Sequence, residues 1–138
     1  MKTARIIYNG DLRTTAEHIR SGKTIITDAP PDNHGKGEAF SPTDLVASAF
    51  VSCMMTVMGI VAHRDGMDMG QLSGEVEKVM ADNPRRISAL HVVLTFQGHS
   101  LSDKQRDILE RTAIACPVAR SLHPDIAINL RFEYQPSH

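Results

Sequence analysis

The 138 residues carry 15 Lys and Arg against 16 Asp and Glu, a net charge of −1. Such a length supports a single domain over residues 1–138 with a sizeable core, and the charge balance excludes a charge-driven grip on nucleic acid or an anionic membrane. Met1–Lys2–Thr3 runs into a strand-like segment with no apolar stretch of the signal-peptide kind, so a cytoplasmic location is expected. In that compartment ordinary thiols stay reduced, which makes Cys53 and Cys116 candidates for chemistry rather than for a structural disulfide.

Residues 3–9 have strand character, and Asn9–Gly10 is a hairpin signal. Leu12–Ile19 and Lys23–Thr27 read as two more strands with Ser21–Gly22 between them, so a three-stranded meander opens the chain. Residues 28–40 hold Pro30, Pro31, Gly35 and Gly37 and no apolar period. This is a long loop, of the kind that often carries function.

The loop delivers the chain to its central feature. Ser41 is a helix N-cap and Pro42 suits the first helical position. Asp44 completes a capping box and puts negative charge at the positive helix end. From Leu45 to Ala62 nearly every residue is apolar or small on all sides of the helical wheel, the mark of a buried helix. Ser48, Ser52, Cys53 and Thr56 are the polar exceptions. About 20 such residues would span a bilayer, but Gly59 and the serines interrupt the run and no second span accompanies it. It therefore reads as the central helix of a core, ending near Gly66, with His63 as a favourable charge at its negative end. Met54, Met55, Met58, Met67 and Met69 gather around it as adaptable filling.

Leu72–Met80 is a further strand, Asp82–Asn83–Pro84 a turn, and Leu90, Val92, Leu94 and Phe96 alternate as a half-buried strand. Ser102 and Gln105 form a second capping box, opening a helix with Ile108, Leu109, Thr112, Ala113 and Cys116 on one face. Cys116–Pro117 breaks that helix, Pro117–Leu122 starts a short one, and His123–Pro124 stops it. Ile126, Ile128, Leu130, Phe132 and Tyr134 alternate as a final strand. The order βββ–α–ββ–α–α–β lacks the regular βαβ alternation of a parallel sheet. The expected fold is α+β, with antiparallel sheets wrapped around a long buried central helix.

The chemistry rests on the thiols. Burial alone would raise the pKa of Cys53 and leave it inert, so it needs a cation or a helix dipole to become a nucleophile. Cys116, with Pro117 as first helical residue, occupies an N-cap where free N–H groups favour a thiolate. Whether the two sulfurs meet stays open in the sequence. No metal site is expected: the seven His show no helical i, i+4 pair, and neither Cys has a Cys or His two to four residues away. A Gly-x-Ser-x-Gly elbow is missing, and Gly35–Lys36–Gly37 is too short for a phosphate loop, so no cofactor is expected.

Two stretches together resemble the family of osmotically inducible and organic-hydroperoxide-resistance proteins, the OsmC/Ohr family. One is Ser41–Pro42–Thr43–Asp44–Leu45 with Cys53 eight positions on from Leu45; the other is Ala115–Cys116–Pro117–Val118–Ala119–Arg120–Ser121–Leu122 with Pro124 and the final strand behind it. The resemblance implies an OsmC-like fold, an intertwined homodimer with active sites at its interface, and thiol-dependent reduction of organic hydroperoxides. It makes Cys53 the peroxidatic cysteine and Cys116, 63 positions later, the resolving one. It also implies an arginine nine residues before a turn glycine: Arg13 stands nine before Gly22, with Arg20 as the fallback. An external dithiol, in the family often a lipoyl group, would return the pair to its reduced state.

One position departs from that pattern. Peroxidase branches carry a glutamate ten residues before the first cysteine, and Thr43 stands there. Asp44 lies one residue along, about 100° around the helix, as a possible acidic partner for Arg13 or as the capping-box acid alone. Two other functions therefore stay in play. One is a non-peroxidase member of the fold binding a small apolar or electrophilic ligand at the dimer interface. The other is a hot-dog-type acyl-thioester hydrolase using Asp44 or Glu38 and leaving both thiols idle.

Overall fold

The computed structural model describes residues 1–136. The chain forms two compact units, one up to Val46 and one from Ala47 on.

The first unit holds a three-stranded antiparallel meander, β1 (Ala4–Gly10), β2 (Arg13–His18) and β3 (Thr24–Asp28), in the order β1-β2-β3. The first hairpin turns on Asp11 and Leu12, both at positive φ, rather than on Asn9–Gly10. The turn thus lies two residues further on, with a register shift between Tyr8 and Gly10, and Asn9 Nδ2 donates to Thr15 Oγ1 at 2.6 Å. The second hairpin closes through His18 N–H to Lys23 O at 2.8 Å, and counting back from that closure sets Arg13 opposite Asp28.

The loop after β3 is tied down by its own backbone. Ala29 N–H donates to Leu12 O, Gly37 N–H to Ala29 O and Asp28 N–H to Phe40 O, at 3.0–3.2 Å. Gly35 is required here, because a Cβ would collide with the Ala29 carbonyl. Gly37, at φ +63°, is required for its left-handed backbone.

α1 (Pro42–Asp65) starts as the sequence reading expects. Asp44 N–H donates to Ser41 Oγ and Ser41 N–H donates to Asp44 Oδ2, each at 3.0 Å. Within the second unit Ala47, Phe50, Val51, Met54, Met58 and Ala62 form its buried stripe. The expectation of burial on all sides is corrected: Ala49, Ser52, Thr56, Ile60 and His63 are exposed, Ile60 by 60%. One three-stranded sheet and two further helices cover only one side of a helix cylinder, and the exposed side carries the polar Ser52 and Thr56. Among the described residues α1 is the one helix long and apolar enough to cross a membrane.

Against that stripe pack β4 (Gln71–Ala81), β5 (Arg86–His99), α2 (Asp103–Ile114), α3 (Pro117–Ser121) and β6 (Ala127–Pro136). Leu90, Val92, Leu94 and Phe96 alternate inward from β5, with Leu109, Ala113 and Cys116 buried in the same cluster. The sheet order is β4-β5-β6, with β4–β5 antiparallel and β5–β6 parallel. The parallel pair corrects the expectation of antiparallel sheets throughout. α2 and α3 carry the chain from one end of β5 back to the other, and a strand following such a crossover runs parallel. The α+β class stands, with a mixed second sheet. The capping box on α2 is present, Gln105 N–H donating to Ser102 Oγ at 3.2 Å and Ser102 N–H to Gln105 Oε1 at 3.0 Å.

Candidate active site

Arg13 belongs to the first unit and both thiols to the second. Arg13 opens β2, and its register partner Asp28 closes β3. Arg13 Nε donates to Asp28 Oδ1 at 2.6 Å and Nη2 to Oδ2 at 2.7 Å, a two-pronged pair; Nη2 also reaches Glu38 Oε1 at 3.2 Å. Asp28 is 1% exposed and accepts the Glu38 N–H at 3.0 Å. The Arg13 hydrogen bond holds its carboxyl below the usual carboxylate range, against the opposing pull of desolvation, with the Glu38 N–H helping. The same bond raises the guanidinium pKa, so Arg13 is a permanent cation. Arg20, the fallback, is exposed in the β2–β3 turn.

The carboxylates beside Arg13 thus come from Asp28 and Glu38, while Asp44 serves the α1 capping box. Asp28 escapes the sequence reading because residues 28–40 have loop composition, which puts it first in a loop rather than last in a strand. The missed signal was the hairpin register: strands closing on His18–Lys23 put Arg13 and Asp28 face to face.

In the second unit Cys53, in α1, is half-buried, and Cys116 is 1% exposed. The two side chains are near neighbours, Cys53 lying close enough to influence the Cys116 thiol. Both are free thiols. Cys116 takes the N-cap of α3, its φ of −65° and ψ of 152° placing Sγ to accept the Ala119 N–H at 3.4 Å. Burial pushes the Cys116 thiol up and is the larger effect; the Ala119 and Val118 N–H groups of the cap do favour the thiolate, as expected, but offset burial only in part. The neighbouring Cys53 pushes in the same direction as burial, so Cys116 is held in its protonated form. Pro117, at the first position of this short helix, removes one N–H that would otherwise need a partner.

On another side of α1 a groove of about 470 Å³ is lined by Ser48, Val51, Ser52, Met55, Thr56, Gly74 and Val76. Among the described residues no group of three or more His, Cys, Asp or Glu side chains is placed to share a metal ion.

The fold recurs in solved structures. A protein from Psychrobacter arcticus 273-4, provisionally named as an osmotic stress induced and detoxification response protein, is 51% identical over 96% of each chain, with a TM-score of 0.91. An OsmC like protein from Mycoplasma pneumoniae is 17% identical over 98% of each chain, with a TM-score of 0.81. An organic hydroperoxide resistance protein OsmC from Legionella pneumophila is 18% identical, covering 96% of this chain and 98% of its own, with a TM-score of 0.71. For the last two the likeness is one of fold. No curated protein matches the chain in sequence. The family model described as OsmC-like protein matches residues 35–131, a stretch that runs from the loop before α1 through both cysteines, and the chain belongs to that family.

Proposed function

We propose that the protein is a thiol-dependent peroxidase that reduces organic hydroperoxides in oxidative or osmotic stress, working in the cytoplasm as a homodimer. The observation that carries this reading is the nearness of Cys53 and Cys116 at the edge of an apolar core, with one thiol more exposed than the other. Cys53, as the thiolate, attacks the O–O bond of the hydroperoxide. An S–O bond forms, the O–O bond breaks, and the alkoxide takes a proton and leaves as the alcohol. Cys53 is then a sulfenic acid. Cys116 condenses with it: the S–S bond forms, the S–OH bond breaks, and the hydroxide leaves as water with the Cys116 proton. An external dithiol, such as a lipoyl group, supplies two electrons and two protons to restore both thiols. Arg13 is assigned, from the family pattern, the charge that supports the thiolate and orients the peroxide.

The homodimer is supported by uncovered apolar surface: Ile60 on α1, and Ile6, Ile7, Tyr8 and Ile25 on the meander, are all more than half exposed. An interface between copies of the chain would cover such side chains.

The test is a free-thiol count with intact mass before and after one equivalent of cumene hydroperoxide. Loss of both thiols and about two mass units, abolished in Cys53→Ser, is expected. An unchanged count refutes the peroxidase. The groove beside Ser48, Met55 and Gly74 favours one second reading, a member of the fold that binds a small apolar ligand. An unchanged thiol count together with saturable binding of such a ligand would establish it.

A further inference from the structure

Resting on that peroxidase reading, we infer that Asp28 is the positioning residue for Arg13, filling the part left open by Thr43. Two contacts of 2.6 and 2.7 Å engage Nε and Nη2 together, which fixes the plane of the guanidinium as well as its position. Asp28 is itself immobile. It sits opposite Arg13 in the strand register, its N–H is bonded to Phe40 O at 3.1 Å, and its carboxylate receives the Glu38 N–H.

A second cross-strand pair shows what an ordinary ion pair looks like in this sheet. Arg5 and Glu17 also face each other, but through one contact of 3.4 Å between exposed side chains. Glu38 adds a single 3.2 Å contact from an exposed carboxylate. It contributes charge and little direction. The nitrogen of Arg13 that neither carboxylate takes is Nη1, so the guanidinium presents one donor edge in a defined direction.

The Asp28 carboxylate gives the loop after β3 one side-chain bond, accepting the Glu38 N–H at 3.0 Å. That loop is held by the backbone bonds Ala29 N–H to Leu12 O, Gly37 N–H to Ala29 O and Asp28 N–H to Phe40 O. The two bonds of the Asp28 carboxylate to Arg13, at 2.6 and 2.7 Å, are shorter than its bond to the loop, and Oδ1 is given to Arg13 Nε.

The experiment follows cumene hydroperoxide consumption in native protein, Asp28→Asn, Asp28→Glu, Arg13→Lys and the Arg13→Lys/Asp28→Asn double variant. Glu17→Gln is the control for an ordinary pair. Asp28→Asn is expected to slow the reaction roughly 10–100-fold, the scale of a misplaced catalytic group. Asp28→Glu recovers part of the rate, Glu17→Gln stays within about twofold of native, and Asp28→Asn slows Arg13→Lys no further. A purely structural role would slow both backgrounds alike. In parallel, NMR exchange of the Arg13 Nε proton is slow in native protein and fast in Asp28→Asn, a readout independent of activity and usable on Asp28→Glu should the asparagine variant fold poorly. An active native protein whose Asp28→Asn variant keeps its rate, or loses as much again on top of Arg13→Lys, overturns the role of Asp28 and leaves the peroxidase standing. A native protein inert to hydroperoxide overturns the peroxidase and, with it, this role, whatever the Nε exchange reports.

Discussion

Replacing Cys116 by alanine and by serine separates the two jobs this thiol holds. Sγ caps α3 by accepting the Ala119 N–H at 3.4 Å, a long contact, so losing it sits at the low end of the N-cap range, roughly 0.5 kcal/mol. The sulfur is also buried in one cluster with Leu109 and Ala113. Deleting it leaves a void near the size of a methyl group, worth roughly another 1 kcal/mol. Cys116→Ala should therefore be less stable by about 1.5 kcal/mol, a fall in Tm of roughly 5 °C for a chain of this size. Serine restores a cap acceptor better than sulfur and keeps most of the volume, so Cys116→Ser should fall by no more than about 2 °C. Calorimetry on the three proteins in reductant reads this order directly. Treated with cumene hydroperoxide, both variants should stop with one added oxygen, about 16 mass units, on Cys53. Alanine matching native stability, or serine falling as far as alanine, would refute the capping argument. Loss of the hydroperoxide reaction in both variants would refute the assignment of Cys53 as the attacking sulfur.

Gly74→Ala places a Cβ 2.7 Å from Val51 Cγ1 and 3.0 Å from Leu94 Cδ2, and should lower stability by roughly 1–2 kcal/mol in urea unfolding; an unchanged midpoint would show that the groove beside α1 yields freely. Burial, and next the hydrogen bond to Glu110, hold the Tyr134 phenol proton above the usual tyrosine range. The unfolded chain gives that proton up from about pH 10, so stability should fall as pH rises past 10, a slope absent in Tyr134→Phe. Asp28, held low by Arg13, stabilises the fold fully above about pH 4 and loses that contribution as pH falls further. Denaturant midpoints between pH 2 and 5 should show this limb in native protein and lack it in Asp28→Asn.

Features set by a few neighbouring residues were legible in the sequence. Ser41 with Asp44 and Ser102 with Gln105 announced two helices through capping boxes that need only a three-residue separation, and both are formed. The alternation of Leu90, Val92, Leu94 and Phe96 marked the core face of β5 for the same reason. What escaped depends on pairing between distant residues. The parallel union of β5 and β6 follows from the path of α2 and α3, on which the alternation of either strand is silent. The nearness of Cys116 to Cys53 and the pairing of Arg13 with Asp28 are of this kind too. For Arg13 a hairpin register was enough to find the partner, but only once β3 was carried one residue further. The exposed side of α1 was hidden by composition: Ala49 and Ile60 are as apolar as the buried stripe, and Ser52, Thr56 and the terminal His63 are what distinguish the two sides.

The fate of the Cys116 expectation bears on how a thiol pair can keep its order of reaction. An N-cap favours a thiolate through partial charges on one or two N–H groups, whereas burial removes the whole hydration of the anion, and here burial dominates. The result suits a resolving thiol better than the expected one would. A thiolate at position 116 would compete with Cys53 for the hydroperoxide, and two sulfenic acids side by side have no thiol left to condense with. A buried, protonated Cys116 is a poor nucleophile toward peroxide, yet it neighbours the cysteine on which a sulfenic acid would form, so in the proposed reaction proximity would replace acidity as the source of its rate. The α3 cap fits the same scheme. The Sγ that accepts the Ala119 N–H is the atom the disulfide would claim, so oxidation weakens one hydrogen bond at the start of a five-residue helix and leaves the core cluster of α1 and β5 in place. The second step can then proceed by a local adjustment of residues 116–121, with no demand on the rest of the fold.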